Sequence, residues 1–324
     1  MNPDPMDILA TDPYPLPVRS PLFSIPPRGL GTWKVESLFS FASRLAEAHG
    51  ISMYGLQSMI TKENLEKGLG PKHKLHSTQC GFEGFSLLGK TAKTWTKALN
   101  SLQHQEWADG TTLLSLEHLI STHNLSPQLR RFCPACQRAD LGEGITYEYL
   151  LWRFSAVTVC PEHGCLLETA PRESQHFHAR RQLTQQRSQN CDNSESNPRQ
   201  RQPISNFEQE LARAKLIANF LESPFFKHKY LNYDNSNTAT FLRAILNRHM
   251  NGNAQSLCKY LQISKGQLSE WINRKHIPSF EYIVDFAQAF SCSIDSILSG
   301  DESAIPMILP GYQRLKKGLS LIHI

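Results

Sequence analysis

Four residues between Phe132 and Leu167 have the types and the spacing to hold a metal ion. Cys133 and Cys136 stand in FCPAC, and Cys160 and His163 stand in VCPEHGCLLE. A CxxC knuckle turns two sulfurs toward one point. A second pair at the same spacing closes a tetrahedron around zinc, the ion that thiolate and imidazole ligands jointly suit. The interval from Cys136 to Cys160 holds 23 residues, a zinc-ribbon-like length. Four protein ligands leave no open position for a reactive water, so the expected centre is one structural Zn2+. Its binding free energy, about 10–16 kcal/mol in zinc-finger peptides, would be folding free energy. Cys165, two residues past His163, competes for the fourth position. The match of CPEH to CPAC in spacing favours His163. Tyr147, Tyr149, Leu150, Trp152 and Phe154 lie between the pairs and are expected to pack over the metal module.

A second group of residues suits nucleic acid. Ser264 is a good N-cap for SKGQLSEWINRKH, a helix that Pro278 stops. NAQSLCKYLQI precedes it, and SFEYIVDFAQAF and SIDSILSG follow. This order resembles the phage-repressor type of helix-turn-helix. Such a resemblance implies that the second helix enters the major groove by its N-terminal end. Leu268 and Ile272 would face the core. Lys265, Gln267, Ser269 and Glu270 would point outward at the groove end, and Asn273, Arg274 and Lys275 would lie near phosphate. Gln reads adenine and Lys reads guanine in that setting, while a Glu accepts from cytosine N4. From 237 to 300 there are six Lys/Arg and four acids. That margin also suits a protein-binding or dimerising module, so a homodimer stands beside DNA as an expected partner.

Other elements must position these two groups. Residues 1–31 form a proline-rich extended arm, with Leu16, Leu22, Phe23 and Ile25 as apolar points; it is either disordered or docked on a partner. Residues 32–131 read as an N-terminal helical domain. In VESLFSFASRLAEAH, Leu38, Phe41, Ala42, Leu45 and Ala46 share one helical face. Further helices are expected over Met53–Ile60, near Thr91–Leu102 and over Leu113–Thr122, with Trp33, Trp95 and Trp107 as core or core-edge residues. Residues 132–170 are the zinc-binding module. Residues 171–206 hold seven Gln and six Arg against three acids, and read as a flexible linker that cannot offset its ordering entropy. Residues 207–300 are a helical region carrying the helix-turn-helix, with Leu211, Ala214, Ile217, Ala218 and Leu221 facing inward on its first helix. Residues 301–324 are a tail. The expected fold class is therefore mainly α.

Composition narrows the function. Hydrophobic residues make up 40% and charged residues 19%, as in a globular protein with ample core. No apolar run approaches the roughly 20 residues that span a bilayer. The start of the chain has no basic and apolar leader pattern. Eight cysteines, half of them in or beside the knuckles, suit a reducing cytoplasm better than a disulfide framework. Residues 1–170 carry 15 Lys/Arg against 16 acids, and residues 171–324 carry 19 against 13, so the basic excess lies in the C-terminal half. No phosphate loop, GxGxxG, HExxH or GxSxG is present. The reading is non-enzymatic.

FCPAC, the 22 residues after it and VCPEHGCLLE, entered through YLLWRFSAVTVC, resemble the TniQ family of transposon-encoded proteins. VESLFSFASRLAEAHG is similar to the family's opening ESL…RLA segment. The resemblance covers about residues 30–170. It implies a target-selection protein that binds DNA or associates with a guide-RNA effector complex and then recruits an AAA+ regulator ATPase, which passes the site to the transposase. It puts Cys133, Cys136, Cys160 and His163 at the family's zinc-ligand positions. A second knuckle found in some members is missing here; the matching region has only Cys191. A bacterial cytoplasmic protein, nucleoid-associated when on DNA, is expected. The rival reading is a zinc-containing helix-turn-helix transcriptional regulator.

Overall fold

The computed structural model describes residues 19–66, 87–127, 129–144, 146–170, 206–227 and 233–311. The first part of the arm (1–18), nearly all of the linker (171–205) and the end of the tail (312–324) lie outside the described residues, as do Cys80 and Cys191. What is described is mainly helical, as expected.

α1 (Leu38–Ala48) begins where Ser37 turns extended and its hydroxyl accepts from the Ser40 N–H. The five apolar residues that share its predicted face are all buried. α2 (Met53–Glu66) and α3 (Lys90–Gln103) close on that face, adding Leu56, Ile60, Trp95, Leu99 and Leu102 to one core. The expected helix over Leu113–Thr122 does not form; the chain makes a short 3-10 turn at Leu114–Leu116. Leu113, Leu116 and Leu119 are all buried there. Their three-residue repeat matches a 3-10 turn better than an α-helix.

Residues 19–31 of the arm lie on this helical unit. Leu22 is buried and its N–H donates to the Leu102 carbonyl at 2.9 Å. The Ile25 N–H donates to Gln103 Oε1 at 3.2 Å. Phe23 stays 65% exposed, its ring 4.4 Å from that of His49. Leu22 and Ile25 are thus used within the chain. Gly29 turns the arm into α1 at φ +62°, where a Cβ would stand 2.6 Å from the Lys34 carbonyl oxygen. Only glycine fits that position.

Residues 131–170 have little regular structure. β1 (Arg131–Phe132) pairs antiparallel with β2 (Glu168–Thr169), and α4 (Pro134–Gly142) and a 3-10 turn at Leu150–Arg153 lie between them. A short seam of backbone hydrogen bonds helps join the module to the helical unit. The Ser37 N–H donates to the Glu148 carbonyl at 2.8 Å, and the Leu150 N–H to the Val35 carbonyl at 2.7 Å. Under the seam, Glu148 is buried and accepts from the Ser37 hydroxyl at 2.7 Å and from Arg130 Nε at 3.1 Å.

The second half runs through α5 (Phe207–Glu222), α6 (Pro224–Lys227), α7 (Asn235–Met250), α8 (Ala254–Leu261), α9 (Lys265–Ile272), α10 (Phe280–Phe290) and α11 (Ile294–Ser299). Side-chain caps at Asp234, Asn253, Ser264 and Ser293 start α7, α8, α9 and α11. On α5, Ala214, Ile217, Ala218 and Leu221 are buried as expected, with Arg213 and Phe220 beside them, while Leu211 is half-buried. One hydrophobic core then runs from Val35, Leu113, Leu150 and Phe154 through Ile217 and Leu221 to Phe280 and Ile283. The Phe280 ring lies 4.9 Å from that of Phe154 and 5.8 Å from that of Phe220.

Arg213 of α5 and Asp285 of α10 form a buried ion pair at 2.6 Å. Replacing Asp285 by Ala leaves a buried guanidinium uncompensated, and should cost about 3–5 kcal/mol in urea unfolding. A loss below about 1 kcal/mol would instead be the behaviour of a solvated pair.

Candidate metal centre and nucleic-acid interface

The two knuckles converge. Cys133 is the N-cap of α4, its sulfur accepting from the Cys136 N–H at 3.4 Å. That turn points both sulfurs the same way. The second knuckle closes on itself: the Cys160 N–H donates to the Cys165 carbonyl at 2.8 Å, and the Gly164 N–H to the Cys160 carbonyl at 2.9 Å. The ligand atoms of Cys133, Cys136, Cys160 and His163 all lie within 4.8 Å of one another. His163 Nδ1 is 3.6, 3.3 and 3.6 Å from the sulfurs of Cys133, Cys136 and Cys160, and Cys136 and Cys160 are 3.7 Å apart. A tetrahedral zinc with sulfurs at 2.3 Å and nitrogen near 2.0 Å would set its ligand atoms roughly 3.5–3.8 Å apart. The donor set and its spacing therefore fit that ion.

Cys165 stands at the edge of this group, its sulfur 3.4 Å from that of Cys133. Burial pushes its thiol up to about 12. Hydrogen bonds from Cys136 and then Cys160 hold Cys133 far below the ordinary thiol range, while the bond to Cys133 pushes Cys136 far above it. Sulfurs pressed together without a cation resist joint ionisation; a metal ion removes that penalty.

Of the aromatic residues expected over the module, Tyr149 and Trp152 do pack on the cysteines, stacked at 4.1 Å, with Tyr147 against them. Leu150 and Phe154 point instead into the main core. The Tyr149 hydroxyl donates to Asp140 Oδ1 at 2.9 Å.

The second site is the pair α8–α9. Gln262, in the left-handed conformation at φ 54°, makes the turn between them. Lys265, Ser269, Glu270, Asn273, Arg274 and Lys275 are exposed, as the sequence led us to expect. Gln267 is different. Its Oε1 accepts from the Ser264 N–H at 3.2 Å, closing a capping box, and its Nε2 donates to the Tyr282 hydroxyl at 2.9 Å. Bidentate reading of adenine needs both ends of the amide; here both are engaged. The spacing Ser-x-x-Gln carries that signal in the sequence. The core anchors of α9 are Leu268 and Trp271, whereas Ile272 is only half-buried. Trp271 packs on Tyr282 at 4.7 Å and on Phe286 at 5.6 Å. Arg274, at φ 60°, ends the helix, and the loop beyond it rests on the first half, where the Ser121 N–H donates to the Pro278 carbonyl at 3.0 Å.

Together these features define a class: a helical protein that fastens a three-cysteine, one-histidine clasp and a helix-turn-helix to one core. Residues 27–167 match the family described as TniQ, and residues 245–305 match the bacteriophage CI repressor helix-turn-helix domain. Residues 27–167 thus resemble a TniQ domain, and residues 245–305 a repressor-type helix-turn-helix. The first supports a transposon-associated role in target selection, and the second supports DNA binding. Both families are generally non-catalytic. No curated protein matches the chain. Among the described residues no helix is long and apolar enough to cross a membrane.

Gln267→Ala should lower the thermal midpoint of the protein, through loss of the N3 half of the capping box, and leave base preference in a selection assay unchanged. A shifted base preference with unchanged stability would return Gln267 to the groove.

Proposed function

We propose that this chain is a non-catalytic adaptor for target-site selection in DNA transposition. It links target DNA, or a guide-RNA effector complex, to an AAA+ transposition regulator and so to the transposase. The observation that carries this reading is the presence, on one continuous core, of a TniQ domain and a repressor-type helix-turn-helix. In this reading the 132–170 module holds one structural Zn2+ through Cys133, Cys136, Cys160 and His163. The ion supplies cross-linking and no reaction. Lys265, Ser269 and Glu270 face the major groove, and Asn273, Arg274 and Lys275 follow the phosphates. Residues 1–31 and 32–131 serve the protein partner, residues 171–206 act as a linker, and the protein works in the bacterial cytoplasm, as a monomer or homodimer.

Affinity capture with an AAA+ transposition-regulator ATPase as bait tests the central claim. Stable, DNA-compatible binding is expected. Sequence-specific operator binding without any ATPase partner would make the protein a transcriptional regulator instead.

The clasp has its own test. Cys133→Ser, or chelation of the wild type, should remove the metal and unfold residues 132–170, seen as a collapse of the near-ultraviolet dichroism from Tyr149 and Trp152. A fold that resists both would mean the cysteines pack without an ion.

On the DNA side, replacing Arg274 and Lys275 by Ala together should weaken binding across all sequences. The slope of log K against log salt should fall by about 0.9 for each phosphate left without its cation. An unchanged slope would assign the helix-turn-helix to protein contacts.

A further inference from the structure

Lys34 lies far in sequence from the clasp but reaches it in space. Its Nζ is 2.8 Å from Glu162 Oε2, and that same oxygen is 4.0 Å from Cys136 Sγ. Glu162 sits between Cys160 and His163 in the second knuckle. The Lys34 ammonium also lies 5.2 Å from the ring of Trp33. Trp33 packs against the cysteine cluster, its ring edge-on to Tyr149 at 5.8 Å. Its backbone N–H donates to Glu222 Oε1 at 3.1 Å. The segment before α1 is thereby pinned to both the clasp and α5.

The charge balance gives this contact a meaning. A divalent ion with three thiolates and a neutral imidazole carries one net negative charge. Glu162 brings a further carboxylate to within 4.0 Å of Cys136 Sγ. A surface ion pair as exposed as this one, 37% and 44%, adds little to stability by itself. Beside a negative metal centre the same ammonium has a second role, because outer-shell groups tune ligand basicity and metal affinity.

We propose that Lys34 is a positioning residue of the metal centre: it offsets the negative charge of the filled clasp and neutralises Glu162, so ion affinity depends on the docked segment before α1. This rests on the metal reading above and deepens it.

The test is Co2+ binding to the full chain, read from the thiolate-to-cobalt charge-transfer band and ranked against Zn2+ by chelator competition. Lys34→Ala should weaken metal affinity roughly tenfold, the low end for loss of an outer-shell partner, with the band shape unchanged. Lys34→Arg should retain affinity. Glu162→Gln separates charge from tethering: removing the carboxylate should leave affinity equal or tighter, and should rescue Lys34→Ala in the double variant. If Lys34→Ala binds like the wild type, the proposal fails. If Lys34→Ala and Glu162→Gln weaken binding alike, the pair is a tether and the proposal also fails. Absence of the charge-transfer band in the wild type would instead overturn the metal reading itself. Far-ultraviolet dichroism of the loaded variants checks that each has folded.

Discussion

The segment from Arg131 to Ala170 has to hold a fixed shape with almost no ladder to hold it. Its sheet is two residues wide on each strand, and its longest helix runs only from Pro134 to Gly142. Closing a chain segment of this size costs entropy that grows slowly with length, and two strand residues cannot offset it. Four soft ligands brought to one point can, once an ion joins them. The consequences spread outward. Tyr149 and Trp152 gain a surface to stack on, Glu148 and Leu150 are held at the edge of α1, and Leu150 and Phe154 are presented to the main core. The clasp thus lies beside the contacts that join the two halves of the molecule.

Those contacts make the helix-turn-helix part of the same body. Phe280, the first residue of α10, is fully buried against Phe154 and Phe220. α5 acts as a strut: Glu210 accepts from Thr158 at one end, Arg213 pairs with Asp285 in the middle, and Ser223 donates to Asp295 at the other. Buried ion pairs contribute little net stability, but they penalise misplacement strongly. That asymmetry suits a part whose job is orientation. A linker between two domains would let α9 swing; a shared core sets its direction relative to residues 27–167.

Much of this was legible in the sequence, for physical reasons that differ by element. The knuckles were legible because metal ligation imposes residue type and spacing together. α1 and α5 were legible because a single buried face leaves a 3.6-residue repeat. Leu113–Thr122 was not, since leucines spaced by three and by four look alike over so short a run. Nor was the use of Leu22 and Ile25, because a proline-rich stretch does not reveal which surface it lies on. Gln267, expected at the groove, is engaged here by its own cap and by Tyr282, since a polar residue early in such a helix has two possible partners, the groove and its own cap. The signal for the cap lies three residues upstream, in Ser264. Lys34 was invisible because its partner, Glu162, is far along the chain and only the fold brings them together.

The charge of the helix-turn-helix also changes meaning once the fold is known. Six cations against four acids between 237 and 300 is a slim margin for a DNA-binding surface. Yet Asp285 is buried on Arg213, and Asp295 accepts from Ser223 in the half-buried base of the domain. Arg243 donates to the Ile272 carbonyl and Arg248 pairs with Glu302. Around α9 itself, the exposed charges are Lys265, Arg274 and Lys275 against Glu270. That end carries a net excess of two positive charges, equal to that of the whole 237–300 stretch. It is still a modest electrostatic footprint, and affinity carried by a few phosphate contacts falls quickly with salt. A rigid mount is the compensating feature. When a second contact on the same body is engaged, a weak site acts at a high effective concentration, provided the geometry allows both at once. The shared core fixes the geometry between α9 and residues 27–167.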